Sequence, residues 1–261
     1  MFEADTVSPE HAKSCDKMDD VWVPTEIHVS TFIESGVDPS KVVKIVQPID
    51  VKFFNPERMG CFAESIFGRI HCSRLPNLEG WVTLYLLTNP YHSEKYFSNK
   101  IVEFVQKSGI EKPVTGWSPV YVIDAHIAQS DLPRIYKAAD AFVLPSRGEG
   151  WGRPLVEAMA MSLPVIATNG SGPTEYLTVE NSYPLIVDRM SEVMEGPFKG
   201  HLWAEPSVTK LRVLMRHVMD NVNEAKAKGR IAREDLITKF APEIVADIVI
   251  KHVLNIFEKM D

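Results

Sequence analysis

The chain has 261 residues, enough for one large domain or two small ones, and its 45% apolar and 24% charged residues exclude disordered and collagen-like chains. With 28 basic against 35 acidic residues the formal charge is −7, which argues against a nucleic acid or an anionic membrane held through bulk charge. No apolar run approaches the roughly 20 residues of a spanning helix, and the start Met-Phe-Glu-Ala-Asp lacks the basic charge and apolar stretch of a signal peptide. A cytoplasmic setting is the expectation. Cys15, Cys61 and Cys72 are an odd and sparse set, read as idle thiols of a reducing compartment. His71-Cys72 with Cys61 is too poor a ligand set for zinc, so no metal site is expected. Asn169-Gly170-Ser171 is a glycosylation sequon by pattern only.

In chain order, Val21-Trp-Val reads as a short strand stopped by Pro24. Thr25 caps a helix over 26–35 that ends at Gly36, and Val42 to Val46 is a second strand. A connector with Pro and Asn follows at 48–58, then a strand at Phe62–Phe67. The crossover from there holds Gly68, Pro76 and Gly80 and is expected to be irregular, because Pro76 breaks a central helix. Strands are predicted at 82–88, 119–124 and 141–145, with the final core strand at 164–168. Helical patterns lie between them at 97–108, 131–139 and 153–162. Continuous apolar strands alternating with amphipathic helices predict an α/β fold with a Rossmann-like parallel sheet. The last stretch is helical, with core-facing stripes Val208, Leu211, Met215, Val218, Val222 and Val245, Ile248, His252, Val253, Ile256.

The informative segment runs from Phe142 to Ala160. A strand enters a loop with Gly148, Gly150 and Gly152, then a helix with Pro154 in its first turn. Glycines allow close backbone approach, and the free amides of a helix start suit an anion such as a diphosphate. Glu149 in the loop and Glu157 one turn into the helix flank that site. An acid beside a phosphate repels it unless the acid binds neutral hydroxyls, as sugars and riboses offer. The bland alternative is a tight glycine turn with Glu157 merely complementing the helix dipole.

Glu149-Gly-Trp-Gly-Arg-Pro-Leu-Val-Glu157 resembles the Glu, seven residues, Glu motif of family 4 retaining glycosyltransferases, which have the GT-B fold. Ser130 to Asp140 is similar to that family's Leu-x-x-Tyr-x-x-Ala-Asp helix, and Pro164 to Glu175 to its following strand and glycine-rich loop. Residues 17–50 resemble the passage between its two domains, and the plant-type subgroup is the nearest in pattern. The resemblance implies residues 1–40 as a remnant of the acceptor-side domain, 41–241 as the nucleotide-sugar donor domain, and 242–261 as the crossover helix. It implies that Glu149 binds donor-sugar hydroxyls as the catalytic residue. Glu157 would bind the nucleotide ribose, and the amides of Gly150, Trp151 and Gly152 would face the sugar and diphosphate. Arg153 would add a cation or only a surface ion pair, and Arg69 would hold the diphosphate. Where the family has Lys-Gly this chain reads Glu79-Gly80, an acid that repels phosphate. No cofactor or metal is implied, and no Asp-x-Asp pair is present.

The expected function is transfer of a sugar from a nucleoside-diphosphate sugar, with retention, to an unknown acceptor. Because most of the acceptor domain precedes the matching residues, this chain is expected to transfer sugar poorly by itself. A non-catalytic nucleotide-sugar binder or partner-binding remnant is the alternative. A nicotinamide-dependent oxidoreductase fits less well, since Arg153 stands where that fingerprint wants a third glycine.

Overall fold

The computed structural model describes residues 6–58, 82–87, 97–109, 119–123, 127–196 and 199–260. Its elements are α1 (Pro9–Cys15), β1 (Val21–Val23), α2 (Glu26–Glu34), β2 (Val42–Lys44), β3 (Leu84–Leu87), α3 (Phe97–Lys107) and β4 (Val120–Ile123). Then follow α4 (Leu132–Lys137), β5 (Phe142–Leu144), α5 (Arg153–Ala160), β6 (Val165–Thr168) and β7 (Tyr183–Leu185). The chain ends with β8 (Val187–Glu192), β9 (Leu202–Pro206), α6 (Val208–Asp220), α7 (Val222–Lys239) and α8 (Pro242–Met260). The expected strand at Phe62–Phe67, the irregular crossover, Arg69 and Glu79 lie outside the described residues.

The chain forms two compact units, one of 1–62 with 133–261 and one of 63–132. In the second, β3 and β4 pair in parallel with Tyr85 opposite Tyr121, whose rings stack at 5.4 Å. In the first, β1 pairs with β2 in parallel, and β5, β6 and β7 form a parallel sheet. Parallel pairing throughout these three sheets agrees with the α/β expectation.

Local chemistry explains the boundaries. Thr25 caps α2, its hydroxyl accepting the His28 amide at 3.2 Å, and Gly36 leaves the helix at φ +97°. On one face of β1 lies a cluster of Val7, Ala12, Val23, Phe32 and Val37. A second cluster joins Ile166, Tyr183 and Leu185 to Val218 and Ala225, with Leu211, Leu214 and Met215 packed on it. The predicted stripe of α6 is therefore core-facing from Leu211 to Val218, but Val208 at its start is 68% exposed. Helix α5 is nearly all interior: Leu155, Val156, Ala158, Met159 and Ala160 are each 0–1% exposed. Burial of its larger side chains contributes roughly 1.5–3 kcal/mol apiece. α7 packs on α5, and Gly229 permits it, since a Cβ there would lie 2.2 Å from the Ser162 carbonyl oxygen.

Two features depart from the predicted elements. The strand at 164–168 is not the last of its sheet, because β7 pairs with β6 beyond it. β7 has three residues and carries Pro184, which a strand tolerates at an edge and which hides it from a periodicity reading. The antiparallel hairpin β8–β9 also went unanticipated. Its strand 187–192 reads Val-Asp-Arg-Met-Ser-Glu, too polar to register as a core strand. Elsewhere, α8 and the segment after β2 form an apolar groove of about 500 Å³, lined by Trp22, Ile45, Pro48, Val245, Val249 and Ile250 among others. None of its lining residues belongs to the glycine-rich loop or to α5.

Candidate functional site

The loop between β5 and α5 is anchored from three sides. The Thr168 hydroxyl donates to the Ser146 carbonyl at 2.7 Å, and the Ala204 amide of β9 donates to the Arg147 carbonyl at 3.1 Å. The Arg147 guanidinium lies 4.9 Å over the Trp203 ring and pairs with Glu205 at 3.1 Å. The third anchor is the segment 171–176, which includes the 3₁₀ turn Gly172–Glu175.

That segment grips the backbone of Glu149 to Gly152. The Glu149 amide donates to the Ser171 hydroxyl at 3.0 Å, and the Gly172 amide donates to the Glu149 carbonyl at 2.9 Å. A Cβ on Gly172 would lie 2.2 Å from the Gly150 carbonyl oxygen, so that carbonyl also faces the segment. The Tyr176 hydroxyl donates to the Trp151 carbonyl at 2.5 Å and lies 3.3 Å from that of Gly152. In a trans peptide the carbonyl and the next amide point in opposite directions. Turning the carbonyls of Glu149, Gly150 and Trp151 toward 171–176 turns the amides of Gly150, Trp151 and Gly152 away from it. Those three amides have no acceptor among the described residues.

Gly152 is the N-cap of α5 at φ +82°, a left-handed conformation that glycine adopts at little cost. Pro154 stands in the first turn, and no side chain caps the helix. The result is a helix start with no side-chain cap, preceded by buried amides that point away from 171–176, an arrangement that can hold an anion.

Glu157 lies inside this helix start and is 6% exposed. Tyr136 of α4 donates to its Oε2 at 3.0 Å, and the Arg153 Nε is 3.8 Å from its Oε1. Burial pushes the Glu157 carboxyl above its ordinary range, and the Tyr136 hydrogen bond and Arg153 charge offset only part of this. Burial, with the neighbouring carboxylate, also raises the Tyr136 phenol, which stays a proton donor at physiological pH. A carboxyl raised on folding favours the folded state at low pH, and that contribution is lost as pH rises through its folded-state value. Above that value the ionised, buried Glu157 is a cost to the fold. Glu157→Gln keeps an acceptor for Tyr136 and removes the charge. We expect it to raise the thermal midpoint at pH 7 by roughly 1–4 °C, and the gain to shrink as pH falls into the carboxylate range. Thermal unfolding followed by circular dichroism across pH 4–8 checks this; a lowered midpoint at pH 7 would contradict it.

The other sequence-predicted residues distribute as follows. Glu149 is partly buried, with its backbone fixed on both sides. The Trp151 side chain faces the interior at 2% exposure, 5.2 Å from Tyr176 and 5.7 Å from Phe240 between ring centres, so only its backbone is offered to the site. Arg153 is exposed and pairs within its own helix with Glu157. Arg69 lies outside the described residues. Sequence reasoning gave no role to Tyr136, Ser171, Gly172 or Tyr176. Tyr136 was visible as the tyrosine of the Tyr-x-x-Ala-Asp part of the pattern, which here follows Leu132 by one residue more; Tyr176, one residue past the quoted loop, carried no signal.

Among the described residues, no three His, Cys, Asp or Glu side chains are grouped so as to hold a metal ion. Nor is any helix among them long and apolar enough to cross a membrane.

A parallel α/β unit with a glycine-rich loop leading into an uncapped helix is the architecture of GT-B glycosyltransferases. The chain superposes on sucrose-phosphate synthase of Thermosynechococcus elongatus with TM-score 0.66 at 17% identity, over 95% of this chain and 61% of that one. On Anabaena HepE in complex with UDP-glucose the TM-score is 0.64 at 15% identity, over 97% and 71%. These likenesses establish the fold. Residues 123–192, which hold the loop, α5 and the 171–176 segment, match the family Glycosyl transferases group 1. Among curated relatives, mannosylfructose-phosphate synthase of Agrobacterium fabrum is 37% identical over 84 residues, 32% of this chain and 17% of that protein. The sulfoquinovosyl transferase SQD2 of Arabidopsis thaliana is 31% identical over 133 residues, 49% of this chain and 22% of that protein. The chain thus matches only a minor part of the length of these relatives.

Proposed function

We propose that this chain binds a nucleoside-diphosphate sugar at the start of α5 and acts in glycosyl transfer with retention at the anomeric carbon. The observation that carries the reading is the set of amides at Gly150, Trp151 and Gly152 that have no acceptor among the described residues and turn away from 171–176, flanked by Glu149 and Glu157. In this reading those amides take the diphosphate, where preorganised donors stabilise the charge that develops on the leaving group. Glu157 accepts from the ribose hydroxyls and Glu149 from the sugar hydroxyls. Arg153 contributes charge at the rim. The bond from the anomeric carbon to the diphosphate oxygen breaks, a bond to an acceptor hydroxyl oxygen forms, and the hydroxyl proton leaves with the nucleoside diphosphate or through water.

In the same reading residues 41–241 serve as the donor-binding part and 242–261 as the crossover helix of a plant-type enzyme of the family, in a cytoplasmic setting that suits the sparse cysteines. The HepE complex with UDP-glucose supports the ligand class by likeness of fold. The test is incubation of the purified chain with labelled uridine, adenosine and guanosine diphosphate sugars and a panel of hydroxyl acceptors, reading the product anomer by proton NMR. Turnover by the chain alone is expected to be slow, and what product forms is expected to retain configuration and to disappear in Glu149→Ala. An inverted product would overturn the mechanism. Donor binding without turnover would leave a nucleotide-sugar binder and remove the enzyme reading.

A further inference from the structure

We infer that Tyr176 is a positioning residue that sets the affinity of this site for the diphosphate part of its ligand and not for the nucleoside; this rests on the nucleoside-diphosphate reading of the site. The Tyr176 hydroxyl is the only described side-chain donor to the carbonyls of Trp151 and Gly152, at 2.5 and 3.3 Å. Those two carbonyls share their peptide planes with the amides of Gly152 and Arg153. The Gly152 carbonyl also accepts the Leu155 amide at 2.9 Å and the Val156 amide at 3.3 Å, so the peptide unit whose orientation rests on the phenol is Trp151–Gly152. The ring that carries the hydroxyl is itself fixed. It is 4% exposed and packs between Trp151 and Phe240 at 5.2 and 6.3 Å. The other end of the grip is separate chemistry, since Ser171 and Gly172 hold Glu149 and thereby the Gly150 amide.

Only a hydroxylated ring serves here. Phenylalanine fills the same space and leaves the Trp151 carbonyl buried with no donor. That peptide unit is then free to rotate toward another partner and carry the Gly152 amide with it. Gly152 sits in a left-handed conformation, and glycine's broad φ range gives the peptide little resistance of its own. The Glu157–Tyr136 hydrogen bond ties α5 to α4, and the Gly152 carbonyl keeps its helix partners Leu155 and Val156 without the phenol, so the ribose side is expected to change little.

The experiment compares the intact chain with Tyr176→Phe for inorganic pyrophosphate, for UDP, ADP and GDP, and for the three corresponding nucleosides. Calorimetry reads the diphosphates and NMR titration the weak nucleosides. The expected result is about tenfold or greater weakening for pyrophosphate and for the preferred diphosphate, with nucleoside binding within about twofold. Equal loss for diphosphate and nucleoside would reduce Tyr176 to a packing residue. Unchanged diphosphate affinity would overturn the inference outright. If Tyr176→Phe proves unfolded by circular dichroism, Tyr176→His, which keeps a ring with an N–H donor in the same space, is titrated instead, and its expected loss is again confined to pyrophosphate and the diphosphates. An intact chain that binds none of these probes removes the reading of the site, a failure distinct from an intact chain that binds and a variant that binds equally.

Discussion

Gly172→Ala is expected to weaken nucleotide-sugar binding by about 100-fold, the scale of a misplacement of about 1 Å at a built site. The added Cβ would lie 2.2 Å from the Gly150 carbonyl oxygen, 2.6 Å from its carbon and 2.7 Å from the Glu149 carbonyl oxygen. All three are backbone atoms, so no side chain can swing aside, and the loop or the 3₁₀ turn must move. Either movement separates the Gly172 amide from the Glu149 carbonyl and lets the amides of Gly150 to Gly152 lose their common aim. The fold should survive, at a cost of about 1–3 kcal/mol typical of overpacking. Calorimetric titration beside urea unfolding separates the two effects. Full affinity in the variant would show that the contact between 171–176 and the loop has no bearing on the ligand.

The second large effect concerns stability. Arg233 of α7 sends its guanidinium to the carbonyls of Phe54 at 2.7 Å, Val51 at 3.2 Å and Ala160, the last residue of α5. Burial holds this guanidinium below its usual value, with Glu57 nearby acting in the opposite sense. It satisfies three carbonyls at once and places positive charge at the negative end of α5. Arg233→Met keeps much of the stem packing and leaves those acceptors without a charged donor. The expected loss is about 3–5 kcal/mol in urea unfolding, since hydrogen bonds to charged groups are the costly ones to remove. Arg233 serves the C-terminal end of α5 and the candidate site its N-terminal end. Ligand affinity per folded molecule should therefore change little. A loss below 1 kcal/mol would mean that water replaces the guanidinium freely.

The local geometry of the candidate site, a glycine loop running into a helix with proline in its first turn, was legible because it is local in sequence. Glycines, a proline and two carboxylates within nine residues already implied a helix start open to an anion. The caps at Thr25 and Gly36 were legible for the same reason: each acts on its own neighbours. What stayed hidden acts across the chain. Ser171, Gly172 and Tyr176 matter because β6 returns beside β5 and brings its following turn under the loop. Only the three-dimensional register supplies that fact. Trp151 illustrates the limit from the other side. The motif assigned only its amide to the ligand and said nothing of its side chain, which the fold spends on the core against Tyr176 and Phe240. β7 and the β8–β9 hairpin escaped notice for a plainer reason, since a three-residue strand with Pro184 and a charged hairpin strand have no apolar period to detect.

The most direct measurement is a calorimetric titration of the chain with uridine, adenosine and guanosine diphosphate sugars in excess chelator. One saturable site for at least one of them is expected, unaffected by the chelator and lost in Gly172→Ala. No binding to any of the three at millimolar concentration, or binding that Gly172→Ala leaves unchanged, would contradict the assignment of the α5 start as a nucleotide-sugar site.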